Sequence, residues 1–130
     1  MDKKIRVLLA QPILENHSRG IITVAYMLRN AGMEVIYMGN SFPEQVAQVA
    51  LQEDVDVVGI SILCGNELIF GKDLVRCMKK KRLREDLLLI LGGIFSPKHI
   101  PKLKKIGFKG IFGPGASREE IVGFIRNVIS

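Results

Sequence analysis

The chain contains no tryptophan, and aromatic residues make up only 6% of its 130 positions. Aliphatic side chains must therefore form most of the hydrophobic core. At 48% hydrophobic residues, there are enough of them for one compact domain spanning residues 1–130. Long apolar runs are also lacking, since none approaches the ~20 residues that cross a bilayer. We therefore expect no membrane partner.

Cysteine is scarce, and the two thiols, Cys64 and Cys77, lie in different predicted elements. The amino-terminal residues are basic, but Arg6 and Gln11 interrupt the apolar stretch that follows, so it does not have the pattern of a secretory signal. Without such a signal, reduced thiols in the cytoplasm are expected rather than a disulfide.

Acidic residues are outnumbered, which gives a formal net charge of +6. Such a balance can indicate nucleic-acid binding. Here most cations are interleaved with acids along predicted helices, and the one dense run, Lys79–Arg82, ends a predicted helix, where positive charge suits the helix dipole. We therefore expect no nucleic-acid partner.

Five apolar runs alternate with five helical patterns. The predicted strands are Ile5–Ala10, Glu34–Met38, Val57–Ile60, Leu87–Leu91 and Gly110–Phe112. The predicted helices are Arg19–Asn30, Pro43–Glu53, Glu67–Lys81, Pro97–Ile106 and Ser117–Val128. Strands that are apolar throughout indicate a parallel sheet covered on both faces. The pattern predicts an α/β fold with a flavodoxin-like (Rossmann-like), doubly wound, five-stranded parallel sheet in three α/β/α layers.

Helix-end residues support this division of the chain. Gly32 follows the first helix in the position of a left-handed cap. Ser41 precedes Pro43 and is predicted to cap the second helix. Ser117 and Glu120 have the spacing of a capping box at the start of the last helix.

The loop after the first strand carries the residues with the most distinctive chemistry. It places an acid two residues before an imidazole and a glycine three residues after it. A carboxylate beside an imidazole is typical of a metal-ligating histidine, because it fixes the tautomer of the ring and raises its basicity. The candidate residues of this loop are Glu15, Asn16, His17, Ser18, Arg19 and Gly20.

Three further candidate segments follow the third, fourth and fifth predicted strands. They comprise Ser61, Leu63 and Gly65; Gly92 and Gly93; and Phe112, Gly113, Pro114, Gly115 and Ala116. In a doubly wound sheet the carboxyl ends of the first, third, fourth and fifth strands meet at one edge, where ligands bind. The four segments are therefore expected to form one site.

In this order, the segments Glu15-x-His17-x-x-Gly20, Ser61-Ile62-Leu63, Gly92-Gly93 and Phe112–Gly115 resemble the motifs of cobalamin-binding domains. The chain looks most like the cobalamin subunit of acyl-CoA mutases of the methylmalonyl-CoA mutase type. The resemblance implies that His17 replaces dimethylbenzimidazole as the lower axial ligand of cobalt in adenosylcobalamin. It also implies that the displaced nucleotide tail enters the domain near Ser61 and Leu63.

The resemblance further implies a radical carbon-skeleton isomerisation that needs a partner. In the family the acyl-CoA site is a (β/α)₈ barrel on a separate, larger subunit or domain, so no catalytic residue is expected in this chain alone. The acyl-CoA that is isomerised is left open.

Some positions depart from the family pattern. Glu15 replaces an aspartate, Gln11 a lysine, Leu91 the first of three glycines, and Ala116 a threonine. These departures keep a non-catalytic cobalamin-binding or regulatory module open as an alternative. A corrinoid carrier for methyl transfer is a second alternative. A response-regulator receiver is excluded because Gln11 and Ser61 stand where it needs acidic residues. His99, among lysines, is expected at the surface.

Overall fold

The computed structural model describes residues 3–63 and 65–129, which form five strands and five α-helices in alternation. The strands are β1 (Arg6–Pro12), β2 (Glu34–Ser41), β3 (Val57–Ile62), β4 (Leu88–Gly93) and β5 (Phe108–Phe112). The helices are α1 (Arg19–Asn30), α2 (Pro43–Gln52), α3 (Glu67–Lys80), α4 (Ile100–Ile106) and α5 (Arg118–Ile129), and a 3-10 turn at Pro97–His99 precedes α4. All ten predicted elements are present.

The strands form one sheet in the order β2-β1-β3-β4-β5, and every neighbouring pair is parallel. This order is the flavodoxin-like, doubly wound topology that the sequence predicted. The chain reverses its direction of progress across the sheet between β1 and β3. Loops at the carboxyl ends of these strands therefore diverge and leave room for a ligand.

Both faces of the sheet are covered, which explains why the strands are apolar throughout. One face packs against α2, α3 and α4 through a core that includes Leu8, Leu74 and Phe108. The other face packs against α1 and α5 and includes Ile21 and Ile125. Burial of aliphatic side chains on both faces is the main stabilising contribution to a sheet of this kind.

A β-bulge interrupts the pairing of β1 with β2. Leu9 pairs with Tyr37, but Ala10 pairs with Gly39, so Met38 is an extra residue on β2. Gly39 has a φ of +74°, a conformation that side chains disfavour. The bulge shifts the register by one residue and sets Asn40 opposite Gln11.

The prediction that Ser41 caps α2 is wrong. Ser41 is the last residue of β2, and its hydroxyl donates to the carbonyl oxygen of Gly39 at 3.3 Å. The residue before α2 is Phe42, whose backbone N–H donates to Oε1 of Gln45 at 2.8 Å. Pro43, as predicted, begins the helix.

Two other predicted helix ends are confirmed. Gly32 has a φ of +91°, and the N–H of Met33 donates to the carbonyl oxygen of Leu28 at 3.1 Å, which is a Schellman-type helix end. At the start of α5, the N–H of Glu120 donates to Oγ of Ser117 at 3.1 Å. The N–H of Ser117 donates in return to Oε1 of Glu120 at 3.2 Å.

The basic run lies at the carboxyl-terminal end of α3, next to the edge of the sheet where the strands begin. Nζ of Lys81 donates to Oε1 of Gln48 at 2.9 Å, and Nη2 of Arg84 lies 2.7 Å from Oδ1 of Asp56. The hydrogen bond to Asp56 raises the pKa of Arg84, although partial burial opposes the shift. These cations therefore lie at the edge opposite the candidate residues. No helix within the described residues is long and apolar enough to span a membrane.

The capping box makes Ser117 a test of how α5 is held. We expect Ser117→Ala to lower the free energy of unfolding by about 1 kcal/mol, because the N–H of Glu120 loses its acceptor. Ser18 is the matched control. It also precedes a helix, but in the described structure its side chain accepts no capping hydrogen bond from α1. Urea denaturation of both variants measures the difference, and equal losses would contradict this account of α5.

Candidate functional site

A cleft of about 450 Å³ opens at the carboxyl ends of β3 and β4, between α1 and the loop that leads to α5. Its walls are mainly aliphatic side chains and glycine backbone. The cleft is lined by Leu9, Arg19, Gly20, Ile21, Thr23, Val24, Met27, Gly59, Ile60, Ser61, Leu63, Ile90, Leu91, Gly92, Gly93, Ile94, Phe112, Gly113, Pro114, Gly115, Ala116 and Ile121.

Small residues on one face of the sheet account for the cleft. Side chains alternate between the two faces along a strand, so Gly59, Ser61 and Gly92 share the face of the α1 and α5 core with Ile90. Large residues on this face, such as Ile90, pack against the helices. The small residues near the carboxyl ends leave the space between sheet and helices unfilled.

Some glycines of the cleft have space for a side chain, whereas another is required by the backbone around it. A Cβ on Gly92 would have only the carbonyl oxygen of Phe112, at 3.7 Å, as a near neighbour, and a Cβ on Gly20 or Gly113 would meet nothing within 4 Å. Protein packing therefore does not demand glycine at these three positions. A Cβ on Gly93 would lie 1.9 Å from the carbonyl oxygen of Ile62, and Gly93 has a φ of +142°, so the backbone itself requires this glycine.

His17 and Glu15 form the hydrogen-bonded pair that the sequence suggested. Nδ1 of His17 lies 2.6 Å from Oε2 of Glu15, and the backbone N–H of His17 donates to the same oxygen at 3.3 Å. The Glu15 side chain is fully buried, whereas the His17 side chain is 59% exposed. A carboxylate at Nδ1 favours the tautomer with the proton on Nδ1, which leaves the lone pair of Nε2 available as a ligand.

The second oxygen of Glu15 binds a different segment of the site. The backbone N–H of Leu63, just beyond the end of β3, donates to Oε1 of Glu15 at 2.6 Å. Leu63 lines the cleft, so Glu15 connects the histidine loop to the cleft wall. A buried carboxylate requires such hydrogen bonds, because the charge is costly to remove from water without them.

The turn that carries Glu15 is held from the neighbouring strands. The N–H of Glu15 donates to the carbonyl oxygen of Pro12 at 2.9 Å, which closes the turn. Nε2 of Gln11 donates to the carbonyl oxygen of Glu15 and to Oδ1 of Asn40, both at 3.2 Å. Gln11 therefore contacts the backbone of the turn and Asn40.

The structure brings most of the predicted residues together. Those that line the cleft are Arg19, Gly20, Ser61, Leu63, Gly92, Gly93, Phe112, Gly113, Pro114, Gly115 and Ala116. Glu15, Asn16, His17 and Ser18 belong to the loop that leads into the cleft without lining it. Gly65 also lies outside the lining, in an exposed turn with a φ of +89°. Cys64 lies outside the described residues.

Sequence reasoning missed Asn40 and half of the residues that line the cleft, among them three residues of α1. Thr23, Val24 and Met27 of α1 line the cleft, although their helical spacing is typical of a face buried in a core. The signal in the sequence is the presence of three small residues, Gly59, Ser61 and Gly92, on the strands that face α1, because small residues there indicate incomplete packing. Asn40 was missed because the predicted β2 ended at Met38, before the bulge.

His99 is partly buried, whereas the sequence predicted a surface position. Its side chain is 31% exposed, and Nδ1 lies 3.6 Å from Oε2 of Glu67, whose side chain is only 2% exposed. Neither Nδ1 of His99 nor Oε2 of Glu67 has a hydrogen-bond partner among the described residues. The pair lies between α3 and the turn before α4, on the side of the sheet opposite α1.

Comparison with known proteins shows to which family this chain belongs. A family model described as the B12 binding domain matches residues 5–122. The 2-hydroxyisobutanoyl-CoA mutase small subunit of Aquincola tertiaricarbonis is 37% identical over 127 residues, covering 97% of this chain and 93% of the relative. The pivalyl-CoA mutase small subunit of Xanthobacter autotrophicus is 40% identical over 122 residues, covering 92% of this chain and 80% of the relative.

A solved structure supports the fold independently. A cobalamin-binding protein from Desulfitobacterium hafniense DCB-2 matches with a TM-score of 0.83, at 20% identity, over 98% of this chain and 60% of that one. The two mutase small subunits named above confirm the similarity to acyl-CoA mutase subunits that the motifs indicated. The chain belongs to the B12 binding domain family, among the small, cofactor-binding subunits of acyl-CoA mutases.

Proposed function

We propose that this chain binds adenosylcobalamin base-off, with His17 as the lower axial ligand of cobalt, and presents the cofactor to a larger acyl-CoA-binding subunit. The observation that carries the proposal is the contact of 2.6 Å between Nδ1 of His17 and the buried carboxylate of Glu15. It supports a ring with a defined tautomer and an exposed second nitrogen, in a loop that leads directly into an apolar cleft.

A single histidine, His17, is a sufficient protein ligand for a metal whose other ligands belong to its cofactor. Among the described residues, no three His, Cys, Asp or Glu side chains converge as a metal site. A corrin supplies four equatorial nitrogens, so the protein need offer only one axial ligand. Neutral imidazole is a suitable nitrogen donor for cobalt, and the buried carboxylate of Glu15 orients the ring.

The cleft suits the displaced nucleotide tail. Its volume of about 450 Å³ is within the usual range of small-molecule sites, and its apolar walls match a heteroaromatic ring. In this proposal Ser61 offers a hydroxyl for hydrogen bonding, and Leu63 packs against the ring. The loop 112–116 and the start of α5 border the tail, where backbone N–H groups favour a phosphate.

The activity requires a partner because the chemistry and the substrate site are divided between two chains. Bound adenosylcobalamin supplies the radical chemistry of carbon-skeleton isomerisation. This chain holds the cofactor through His17 and the cleft, and excludes water from the buried tail. We assign the acyl-CoA site to the larger subunit, as a (β/α)₈ barrel, and that subunit determines which acyl-CoA is isomerised.

Both relatives named above are small subunits of acyl-CoA mutases and match nearly the whole chain. This favours a mutase subunit over the two alternatives, a methyl-transfer carrier and a non-catalytic module. The departures at Gln11 and Glu15 also count less against binding, because Glu15 still reaches His17 and Gln11 has a replacement set of contacts.

Replacement of His17 tests the axial ligand. We expect the purified chain, with its large subunit where binding requires it, to shift the adenosylcobalamin spectrum to a base-off, histidine-ligated form. His17→Ala should abolish that form, because it removes the only proposed protein ligand of cobalt. His99→Gln, which changes the chain's other histidine, should leave the spectrum unchanged. An unaltered spectrum in His17→Ala would refute the ligand assignment.

Narrowing of the cleft tests the tail site. We expect Gly92→Val to weaken cobalamin binding by about tenfold or more, because the new side chain occupies space that the tail needs. Gly123→Ala is the control. It adds a Cβ with nothing within 4 Å, at a position of α5 that does not line the cleft. Equilibrium titration measures affinity, and thermal unfolding of the apo chains verifies that both are folded. Wild-type affinity in a folded Gly92→Val chain would exclude this cleft as the tail site.

Measurement of turnover tests whether isomerisation requires both subunits. The chain with adenosylcobalamin is expected to isomerise no acyl-CoA by itself, and activity should appear when the large subunit is added. The experiment measures product formation with and without the large subunit. The substrates are 2-hydroxyisobutyryl-CoA, isobutyryl-CoA and methylmalonyl-CoA. Turnover by the isolated chain would contradict the proposal.

A further inference from the structure

Two side-chain amides, those of Gln11 and Asn40, lie behind the turn that carries Glu15. The Gln11 side chain, 1% exposed, lies behind the turn Pro12–Glu15 and meets Asn40 there. We propose that Asn40 is a positioning residue for His17: its side-chain amide fixes the backbone of the turn from which Glu15 reaches the histidine ring. The proposal rests on the assignment of His17 as the axial ligand.

Asn40 contacts the turn at several points. Its Nδ2 donates to the carbonyl oxygens of Pro12 at 3.0 Å and Ile13 at 3.2 Å, and also to that of Glu15. These carbonyls span the whole turn, and two amide hydrogens shared among three acceptors favour a single turn geometry. Asn40 comes from β2, so a neighbouring strand fixes the loop that follows β1.

Gln11 determines which way the Asn40 amide faces. Nε2 of Gln11 donates to Oδ1 of Asn40, so this oxygen must face Gln11 and Nδ2 must face the carbonyls. The same Nε2 donates to the carbonyl oxygen of Glu15. The two amides therefore act together on the backbone of Glu15, and only a side chain with both a donor and an acceptor can take the place of Asn40.

The bulge in β2 makes these contacts possible. Without the extra residue Met38, Gln11 would pair with a different residue of β2, and Asn40 would fall on the other face of the strand. Gly39, with its φ of +74°, permits the bulge. The position of the His17 ring thus depends on the register of an edge strand that does not touch the cleft.

Asn40→Asp tests the proposal with almost no change of shape. It replaces the donor group by a carboxylate oxygen that faces three carbonyl oxygens, so the turn should shift and carry Glu15 away from His17. In the full chain loaded with cob(II)alamin, with its large subunit where binding requires it, nitrogen hyperfine splitting in the electron paramagnetic resonance spectrum reports histidine ligation. We expect the ratio of histidine-ligated to unligated cofactor to fall about tenfold, as for the loss of one or two hydrogen bonds.

Two further variants make the result specific. Asn127→Asp introduces the same charge on the exposed face of α5 and should leave the ligation ratio unchanged. Gln11→Met removes the donor that orients Asn40 and should lower the ratio in the same direction. Cofactor retention on gel filtration and thermal unfolding of the apo chains separate ligation from folding and from binding of the tail.

A measurement without cobalt separates this proposal from the assignment of His17. The chain has two histidines, so ¹⁵N-labelled histidine gives a spectrum in which His99 serves as the internal reference. At alkaline pH, the wild-type His17 ring should be held as the Nδ1–H tautomer, and Asn40→Asp should convert it to a mixture. If wild type shows no nitrogen ligation, the assignment of His17 fails. If Asn40→Asp keeps both the wild-type tautomer and the wild-type ligation ratio, or loses ligation only in proportion to unfolding, the role of Asn40 is overturned.

Discussion

A single buried carboxylate determines how the loop after β1 is built. Glu15 has no exposed side-chain surface, so its two oxygens must be satisfied by donors inside the protein. One oxygen takes the N–H of Leu63, and the other takes both the backbone and the ring of His17. Because hydrogen-bond geometry is narrow, these donors hold the end of β3 and the histidine at fixed positions about the same group.

The strand order brings the loop that carries Glu15 next to the end of β3. The order of the strands sets β1 beside β3, so their carboxyl ends are adjacent without any special sequence in the loops. Small residues on the face toward α1 and α5 then leave a cleft next to the loop, while large residues on the opposite face build a closed core. The site is thus a region where the regular packing of a doubly wound sheet is left incomplete.

Apolar runs and glycines were sufficient to predict the fold, the strand order and the meeting of the four motifs. They failed where polar residues extend a strand. β1 continues through Gln11 to Pro12, and β2 continues through Asn40 to Ser41, because pairing between the two strands outlasts their apolar character. The same pairing takes Ser41 into β2 and leaves Phe42 as the residue before α2. Contacts of this kind join residues far apart in the chain, and no local pattern reports them.

The position of His99 illustrates a related limit. Neighbouring lysines indicate an exposed helix, yet one ring nitrogen is buried beside Glu67 because α3 packs against the turn before α4. By contrast, the contact between Glu15 and His17 was within reach of sequence reasoning, since both residues belong to one short loop. Local chemistry can be predicted from spacing, whereas burial depends on the neighbouring layer.

The bridge from Leu63 through Glu15 to His17 has a thermodynamic consequence. Under the proposed function, a group bound beside Leu63 and a metal bound by His17 would act on opposite ends of one hydrogen-bonded carboxylate. If binding at one end strengthens the other, linkage requires the effect to be equal in both directions. Under the proposed assignment of His17, any factor by which the cofactor tail strengthens metal binding must equal the factor by which the metal strengthens binding of the tail, and the coupling would pass through the side chain of Glu15.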